Sequence, residues 1–190
     1  MKIYKNASLK EFNTFNVDEK ADYIYQVDKL NDLSEILSKK KHEILILGAG
    51  SNILFTKSYN GAIINLNNKG IRIVEEDQRS ALVEISSGEN WNNFVLWAVQ
   101  NDLGGVENLS LIPGNVGAAP IQNIGAYGSE LKDVFYSCKG VMLDSLIEFE
   151  FKKKECEFGY RTSIFKSRLK NKTVITSVKL ILTKSKHNFN

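Results

Sequence analysis

Residues 105–127 read GVENLSLIPGNVGAAPIQNIGAY, and this stretch restricts the folds open to the chain more than any other. It carries both prolines of the protein, Pro113 and Pro120, among repeated glycines and small alanines. A Gln122-Asn123 amide pair precedes Tyr127, a tyrosine in an exposed setting. Neither helical nor strand periodicity fits the segment, yet it is too apolar for a disordered linker. An irregular stretch of this length that stays ordered wraps something. Glycine lets a ligand approach backbone N–H groups unobstructed, and side-chain amides offer donors and acceptors to a heteroaromatic edge. Those properties describe a cofactor cradle better than a core.

The bulk properties narrow the function classes. A chain of 190 residues can bury a real core, as one domain or as two small lobes. Its hydrophobic fraction, 43%, is ordinary for a globular protein, and no apolar run approaches a membrane span. Residues 1–20 are polar and charged where a signal peptide would be apolar. The charge of +3 comes from 25 basic and 22 acidic residues without a basic block, which argues against nucleic acid as a partner. Cys138 and Cys156 belong to no motif and suit a reducing compartment, so a cytoplasmic location is expected. His42 and His187 lie far apart in lysine-rich stretches. Neither a metal site nor a nucleophile–histidine pair is expected.

The apolar pattern predicts a strand over 21–27. A helix follows on Leu30, Leu33, Ile36 and Leu37, capped by Asp28 or Asn31, with Lys39-Lys40-Lys41 at its C-terminal end. Strands over 43–47 and 62–66 come next, the second behind an Asn60-Gly61 turn, completing a β-α-β-β unit. Phe12 and Phe15 read as anchors of the N-terminal segment. Beyond residue 67 the pattern predicts a strand pair over 71–76 and 81–86. A helix on Trp91, Phe94, Val95 and Ala98 then ends at Gly104-Gly105, and strands follow over 134–143, 145–152 and 174–182. The expected class is α+β in two lobes, 1–67 and 68–190, with the cradle in the second.

Two further clusters carry chemistry. Gly48-Ala49-Gly50-Ser51-Asn52 follows a predicted strand, but it lacks the third glycine of a dinucleotide fingerprint, and β-like Ile53-Leu54-Phe55 comes after it. It is no Walker loop either. A nest of N–H groups around a phosphate and a plain strand-to-strand turn both remain open for it. In Phe158-Gly159-Tyr160-Arg161-Thr162-Ser163-Ile164-Phe165-Lys166, the plain reading is a loop with solvated Arg and Lys. The functional reading makes Arg161 a fixed planar cation for a carboxylate or an enolate oxygen. Cys156 reads as a buried filler.

Taken together, Asn13-Thr14-Phe15, the 48–52 loop, the run from Pro113 through Pro120-Ile121-Gln122-Asn123-Ile124-Gly125-Ala126-Tyr127-Gly128, and 159–166 resemble the UDP-N-acetylenolpyruvoylglucosamine reductase family in order and spacing. The resemblance covers nearly the whole chain. It implies a two-lobed FAD-binding domain similar to the vanillyl-alcohol-oxidase-type (PCMH-type) flavoproteins. It implies non-covalent FAD, with Gly48, Ala49, Gly50, Ser51, Asn52 and Ile53 at the pyrophosphate. Around the flavin and its ribityl-phosphate region it places Ile112, Pro113, Gly114, Ala118, Ala119, Gln122, Asn123, Gly125 and Tyr127, with Ile175 adding a contact from the last strand.

The family's reaction is reduction of an enolpyruvyl ether of a UDP-sugar to UDP-N-acetylmuramate, with NADPH as hydride donor, in peptidoglycan synthesis. The resemblance gives Arg161 the catalytic and substrate-binding role of stabilising the enolate, with Tyr160 lining the same pocket. In that family a serine assisted by a glutamate protonates the product, and both lie in a third domain with no counterpart before Asn190. Ser163 and Glu157 align elsewhere. The expectation is therefore the FAD-binding portion of such a reductase, inactive on its own, with a stand-alone flavin-binding module as the alternative. No metal, nucleic acid or membrane partner is expected.

Overall fold

The computed structural model describes residues 1–38 and 42–184. Lys39-Lys40-Lys41 and His187 lie outside the described residues. His42 lies against the Tyr23 ring, centroids 4.8 Å apart.

The chain begins with two strands, β1 (Lys2–Ser8) and β2 (Lys20–Val27), paired antiparallel. Helix α1 (Leu30–Ser38) then crosses over to β3 (Ile44–Leu47), and β4 (Tyr59–Leu66) inserts between β2 and β3, parallel to both. The sheet order is β1-β2-β4-β3. A parallel neighbour requires such a crossover, and α1 supplies it, burying Leu33 and Leu37.

The central strand β4 explains itself. Ile63 and Ile64 are both fully buried, and adjacent strand residues face opposite sides, so both faces of the sheet are covered. β1 was not expected from the sequence, because nearly all its residues are exposed and no buried alternation marks it. The Asn60-Gly61 turn is not there. Both residues lie inside β4, where the Ala62 N–H donates to the Glu43 carbonyl at 2.8 Å. A Cβ on Gly61 would sit 2.7 Å from that carbonyl oxygen, so the glycine serves strand approach rather than a turn. Asn31 lies within α1 instead of capping it. The Asp28 carboxylate receives the Asn67 amide at 2.8 Å and pairs with the N-terminal ammonium. Phe15 is 63% exposed and anchors nothing, while Phe12 packs partly buried.

The second sheet is antiparallel throughout, in the order β10-β9-β11-β6-β5. Its strands are β5 (Ile71–Glu76), β6 (Ser80–Ser86), β9 (Phe135–Met142), β10 (Glu148–Lys152) and the central β11 (Thr173–Thr183). Helix α2 (Trp91–Gln100) lays Trp91, Phe94, Val95 and Ala98 on one face, with Asn90 accepting the Asn93 N–H as its N-cap. It ends before the expected Gly104-Gly105, because Asp102 already takes the left-handed conformation that closes it. A short hairpin, β7 (Gly125–Ala126) with β8 (Ser129–Glu130), leads into the single-turn α3 (Leu131–Val134). The sheets meet where Leu33, Leu37, Ile64 and Leu66 pack with Val141, Leu143 and Val174. No described helix is long and apolar enough to cross a membrane.

On the face that Ser137 and Lys139 share with Val141, away from α2, the second sheet carries a charge lattice beyond the seam. Glu84, nearly buried, accepts from Arg72 Nε at 3.0 Å and Ser177 Oγ at 3.2 Å, and Glu150 accepts from Ser137 Oγ at 2.8 Å and Lys179 at 3.1 Å. Burial pushes the Glu84 carboxyl up, but the Arg72 bond and charge, with Ser177 and Lys139, more than offset it. Glu84 therefore sits below its ordinary value of 4.5. The Ser137 hydroxyl, and then Lys179, lower Glu150 against its own burial. Because both folded-state values are depressed, the unfolded chain binds more protons, and stability falls as pH drops below about 4.5 through those values. Glu84→Gln should cost about 1 kcal/mol at neutral pH and flatten the acid limb of a urea-denaturation series. An unchanged acid limb would place the lattice outside the folding equilibrium.

Candidate functional site

The loop after β3 is shaped by the protein's own backbone. Gly50 has φ +66°, and a Cβ there would lie 2.0 Å from the Phe12 carbonyl oxygen and 2.7 Å from Asn13 Cα. The Thr14 N–H donates to the Gly50 carbonyl at 3.2 Å. Asn13 is buried and braces that bed, its amide donating to the Leu9 and Val17 carbonyls and accepting the Val17 N–H. The missing Cβ at Gly50 is therefore required by loop packing against Phe12 and Asn13. Gly48 differs: a Cβ there would meet only Ala118 and Asn115 side chains, at 3.6 and 3.9 Å.

The cradle is ordered by straps rather than by regular structure. A 3-10 turn spans Glu107–Leu109 and a longer one Val116–Gln122, with Pro120 inside. Val116 and Gly117 N–H groups donate to the Glu89 and Ser87 carbonyls, both at 2.9 Å. Trp91 returns two bonds, from its backbone to Gly114 and from its indole to Leu109. Periodicity could not reveal a seven-residue 3-10 run, since its face pattern matches neither template.

Loop and cradle face each other across a cavity of about 290 Å³. All of Gly48, Ala49, Gly50, Ser51, Asn52 and Ile53 line it, as do Ile112, Pro113, Gly114, Ala118, Ala119 and Gln122. The two lips are tied: Ser51 Oγ donates to the Pro113 carbonyl at 3.3 Å, and Asn52 Nδ2 to Gln122 Oε1 at 3.5 Å. An adjoining cavity of about 260 Å³ runs along β3 toward Leu66, Leu143, Phe165 and Thr173, and Ile175 lines this one. Gly48, Asn115, Ala118, Ile121 and Lys166 line both. Small side chains and apolar walls suit a flat ring system, and two adjoining spaces suit an elongated ligand. Trp91, Asn115, Ile121 and Lys166 were not singled out from the sequence. Trp91 and Ile121 carry the same signal as core residues, whereas Asn115 and Lys166 sit inside segments already marked.

The remaining predicted residues lie outside both cavities. Asn123 is fully buried with φ +45°; its amide donates to the Gly159 carbonyl at 3.0 Å and accepts the Lys132 N–H at 2.9 Å. It pins the cradle to the 159–162 turn rather than facing a ligand. Gly125 belongs to the β7–β8 hairpin, and Tyr127 is 89% exposed. Tyr160 and Arg161 form the tip of a tight turn closed by reciprocal Gly159–Thr162 backbone bonds, both side chains exposed, with Arg161 at φ +53°. Ser163 is buried; its Oγ donates to the Ile121 carbonyl at 2.7 Å and accepts the Phe165 N–H. Glu157 pairs with Arg168. Cys156 is completely buried beside Cys138, whose thiol is pushed up by its hydrogen bond with Cys156 and by burial.

Two adjoining spaces with small and apolar walls suit an elongated ligand carrying a flat ring, and the comparisons show the family. Residues 21–144 match the FAD binding domain family, and the chain belongs to it. Across its full length it is 47% identical, over 191 aligned residues, to the UDP-N-acetylenolpyruvoylglucosamine reductase of Flavobacterium johnsoniae, of which it covers 57%. The chain spans about half the length of the curated relatives it matches.

Among solved structures, it superposes on UDP-N-acetylenolpyruvylglucosamine reductase from Thermus caldophilus with a TM-score of 0.74 at 22% identity, covering 97% of this chain and 63% of that one. A cholesterol oxidase from Brevibacterium sterolicum follows at 0.65 and 14% identity, covering 96% and 38%. The α+β fold is that of the vanillyl-alcohol-oxidase-type flavoproteins.

The two loop glycines make opposite predictions. Gly50→Ala should destabilise by about 2–4 kcal/mol, through overpacking against Phe12 and an unfavourable φ. Gly48→Ala should stay within about 0.5 kcal/mol of wild type. Urea denaturation of the two variants measures both.

Proposed function

We propose that the chain is the FAD-holding part of an NADPH-dependent reductase. That enzyme converts the enolpyruvyl ether of UDP-N-acetylglucosamine to UDP-N-acetylmuramate for peptidoglycan, in the cytoplasm, and thereby serves cell shape and division. The observation that carries this reading is the pair of adjoining cavities bounded by 48–53 and 112–122. Among the described residues neither histidine nor cysteine lines either cavity, which supports FAD held without a covalent link. Residues 48–53 hold the pyrophosphate; Ile112, Pro113, Gly114, Ala118, Ala119 and Gln122 surround the ring system; Ile175 closes the adjoining cavity. Asn123 and Gly125 act indirectly, by setting the shape of the cradle, and Tyr127 stands at its solvent edge. On this reading 1–67 and 68–190 are two lobes of one flavin domain.

Bound FAD would supply hydride transfer from NADPH to the enolpyruvyl carbon. The chain's own contribution is then positioning and electrostatics. Arg161 presents a planar guanidinium to the substrate carboxylate, where negative charge grows along the reaction, and a donor that binds the developing charge more tightly than the ground state accelerates the step. Tyr160 flanks it. Proton donation is assigned to neither Ser163 nor Glu157, whose hydroxyl and carboxylate are both committed elsewhere.

The test is a titration of the purified chain with FAD, followed by acid precipitation. Flavin should bind and then leave a yellow supernatant. Flavin retained in the pellet would refute the non-covalent assignment, and no binding would end the flavin reading. Anaerobic NADPH should bleach the bound flavin; failure to do so would favour a stand-alone flavin-binding module.

In a full-length reductase of this sequence, Arg161→Ala should remove about 2.7–4 kcal/mol of transition-state stabilisation from substrate reduction, as loss of one oxyanion donor does. Flavin reduction by NADPH should be nearly unaffected. Stopped-flow measurement of the two half-reactions separates the effects, and equal damage to both would place Arg161 in the flavin site.

A further inference from the structure

Among the described residues lining the cavity between loop and cradle, Lys166 is the one that carries a charge. It also lines the adjoining cavity, so it stands at their boundary with Gly48, Asn115 and Ala118. Its backbone is held from two directions. It ends the 3-10 turn Ile164–Lys166, whose Ile164 and Phe165 are buried in the main core. Ser163 caps that turn while bonding the Ile121 carbonyl of the cradle. The ammonium donates to the Arg161 carbonyl at 3.1 Å, and among the described residues no carboxylate is ion-paired with it. An ammonium has three donors, so capacity remains for an anion.

We propose that Lys166 binds the pyrophosphate of the dinucleotide. Through the same ammonium's bond to the Arg161 carbonyl, it also holds the left-handed Tyr160–Arg161 turn in place when the cofactor is loaded. The proposal rests on the flavin reading above and adds a residue to it. A dianionic linkage needs a counter-charge; Lys170 lines only the adjoining cavity, whereas Lys166 lines both and so supplies one where the two halves of an elongated dinucleotide join. The bond to Arg161 matters because a β-carbon disfavours positive φ, so that turn persists only when its surroundings hold it.

The experiment is calorimetric titration of wild type, Lys166→Met and Lys166→Arg with FAD and with riboflavin, which lacks phosphate, at two salt concentrations. Lys166→Met should bind FAD about 10- to 100-fold more weakly and lose part of the salt dependence. Lys166→Arg should recover most of the affinity, and riboflavin binding should barely change. Trypsin cleavage after Arg161, followed by mass spectrometry, should be slowed by FAD in wild type and not in Lys166→Met. Wild-type binding of FAD with equal affinity and salt dependence in Lys166→Met would overturn the proposal alone. Equal loss of FAD and riboflavin would overturn it too, by making the lysine a wall of the cavity. Failure of wild type to bind FAD would instead overturn the flavin reading, and this proposal with it.

Discussion

Everything that positions the site depends on one apolar seam. α1 and β4 present Leu33, Leu37, Ile64 and Leu66 to Val141, Leu143 and Val174 of β9, β11 and the turn after β9. This seam joins a mixed four-stranded sheet to an antiparallel five-stranded one. The cavity along β3 opens beside it, lined by Leu66 and Leu143, which belong to the seam, and by Thr173 and Ile175. If the seam were polar, the sheets would have no fixed relation, and the loop after β3 could not meet the cradle. Each buried Leu or Ile contributes roughly 1.5–3 kcal/mol, so these side chains together amount to a large share of a marginal stability. Ile63 and Ile64 show how economical the arrangement is. Neighbours in β4, they anchor opposite faces, one in the N-terminal cluster that beds Gly50 and one in the seam.

Strain is distributed unevenly, and its distribution points at the site. Several left-handed residues are Asn or Asp, which tolerate that conformation. Leu111, Tyr127, Leu146, Glu157 and Arg161 do not have that excuse. All but Leu146 lie in the cradle or at the 157–161 turn. Such conformations cost about 1–3 kcal/mol each and survive only where neighbours overdetermine them. The neighbours are identifiable: Asn92 receives the Leu111 N–H at 2.9 Å, and the Gly159–Thr162 bonds and Lys166 hold Arg161. Leu111 and Tyr127 are held out in solvent, and so is Tyr160 beside the left-handed Arg161, each more than 80% exposed.

How much of this could be read from the sequence follows from what each signal depends on. β2, α1, β6, α2, β9, β10 and β11 were legible, because each buries or half-buries one face with its own period. The exposed β5 was read from its isoleucines and valine and its pairing with β6. β1 was not, since it is an edge strand with almost nothing buried. Asn60-Gly61 misled because a glycine that admits a neighbouring backbone looks the same in sequence as one that turns a chain. The same ambiguity attached to Gly50, whose constraint comes from Phe12, far away in sequence. The cradle and the 48–53 loop were recognisable by composition and resemblance. Which of their residues face the cavity was not, because Asn123 and Gln122 are neighbours of the same type with opposite directions. Lys166 escaped notice for a related reason: a lysine in a polar loop reads as solvated until tertiary structure places it on a cavity wall.

The separation of Arg161 from the cavities has an electrostatic consequence. Two unit charges 4 Å apart interact by about 1 kcal/mol in water and about 4 kcal/mol at the effective dielectric of a protein surface. Arg161 is exposed at the tip of its turn, so in the chain as described it sits nearer the first limit. A share of about 2.7–4 kcal/mol in transition-state stabilisation demands the second. The arginine therefore reaches its proposed strength only when a bound substrate, with whatever covers it, displaces water from the turn. Holding a dinucleotide asks nothing comparable of the rest of the site. Its walls are already apolar, its lips are tied by Ser51 and Asn52, and Lys166 stands at the boundary of its two spaces. On the proposed reading, the chain thus carries a preformed cavity beside an arginine whose power depends on being covered.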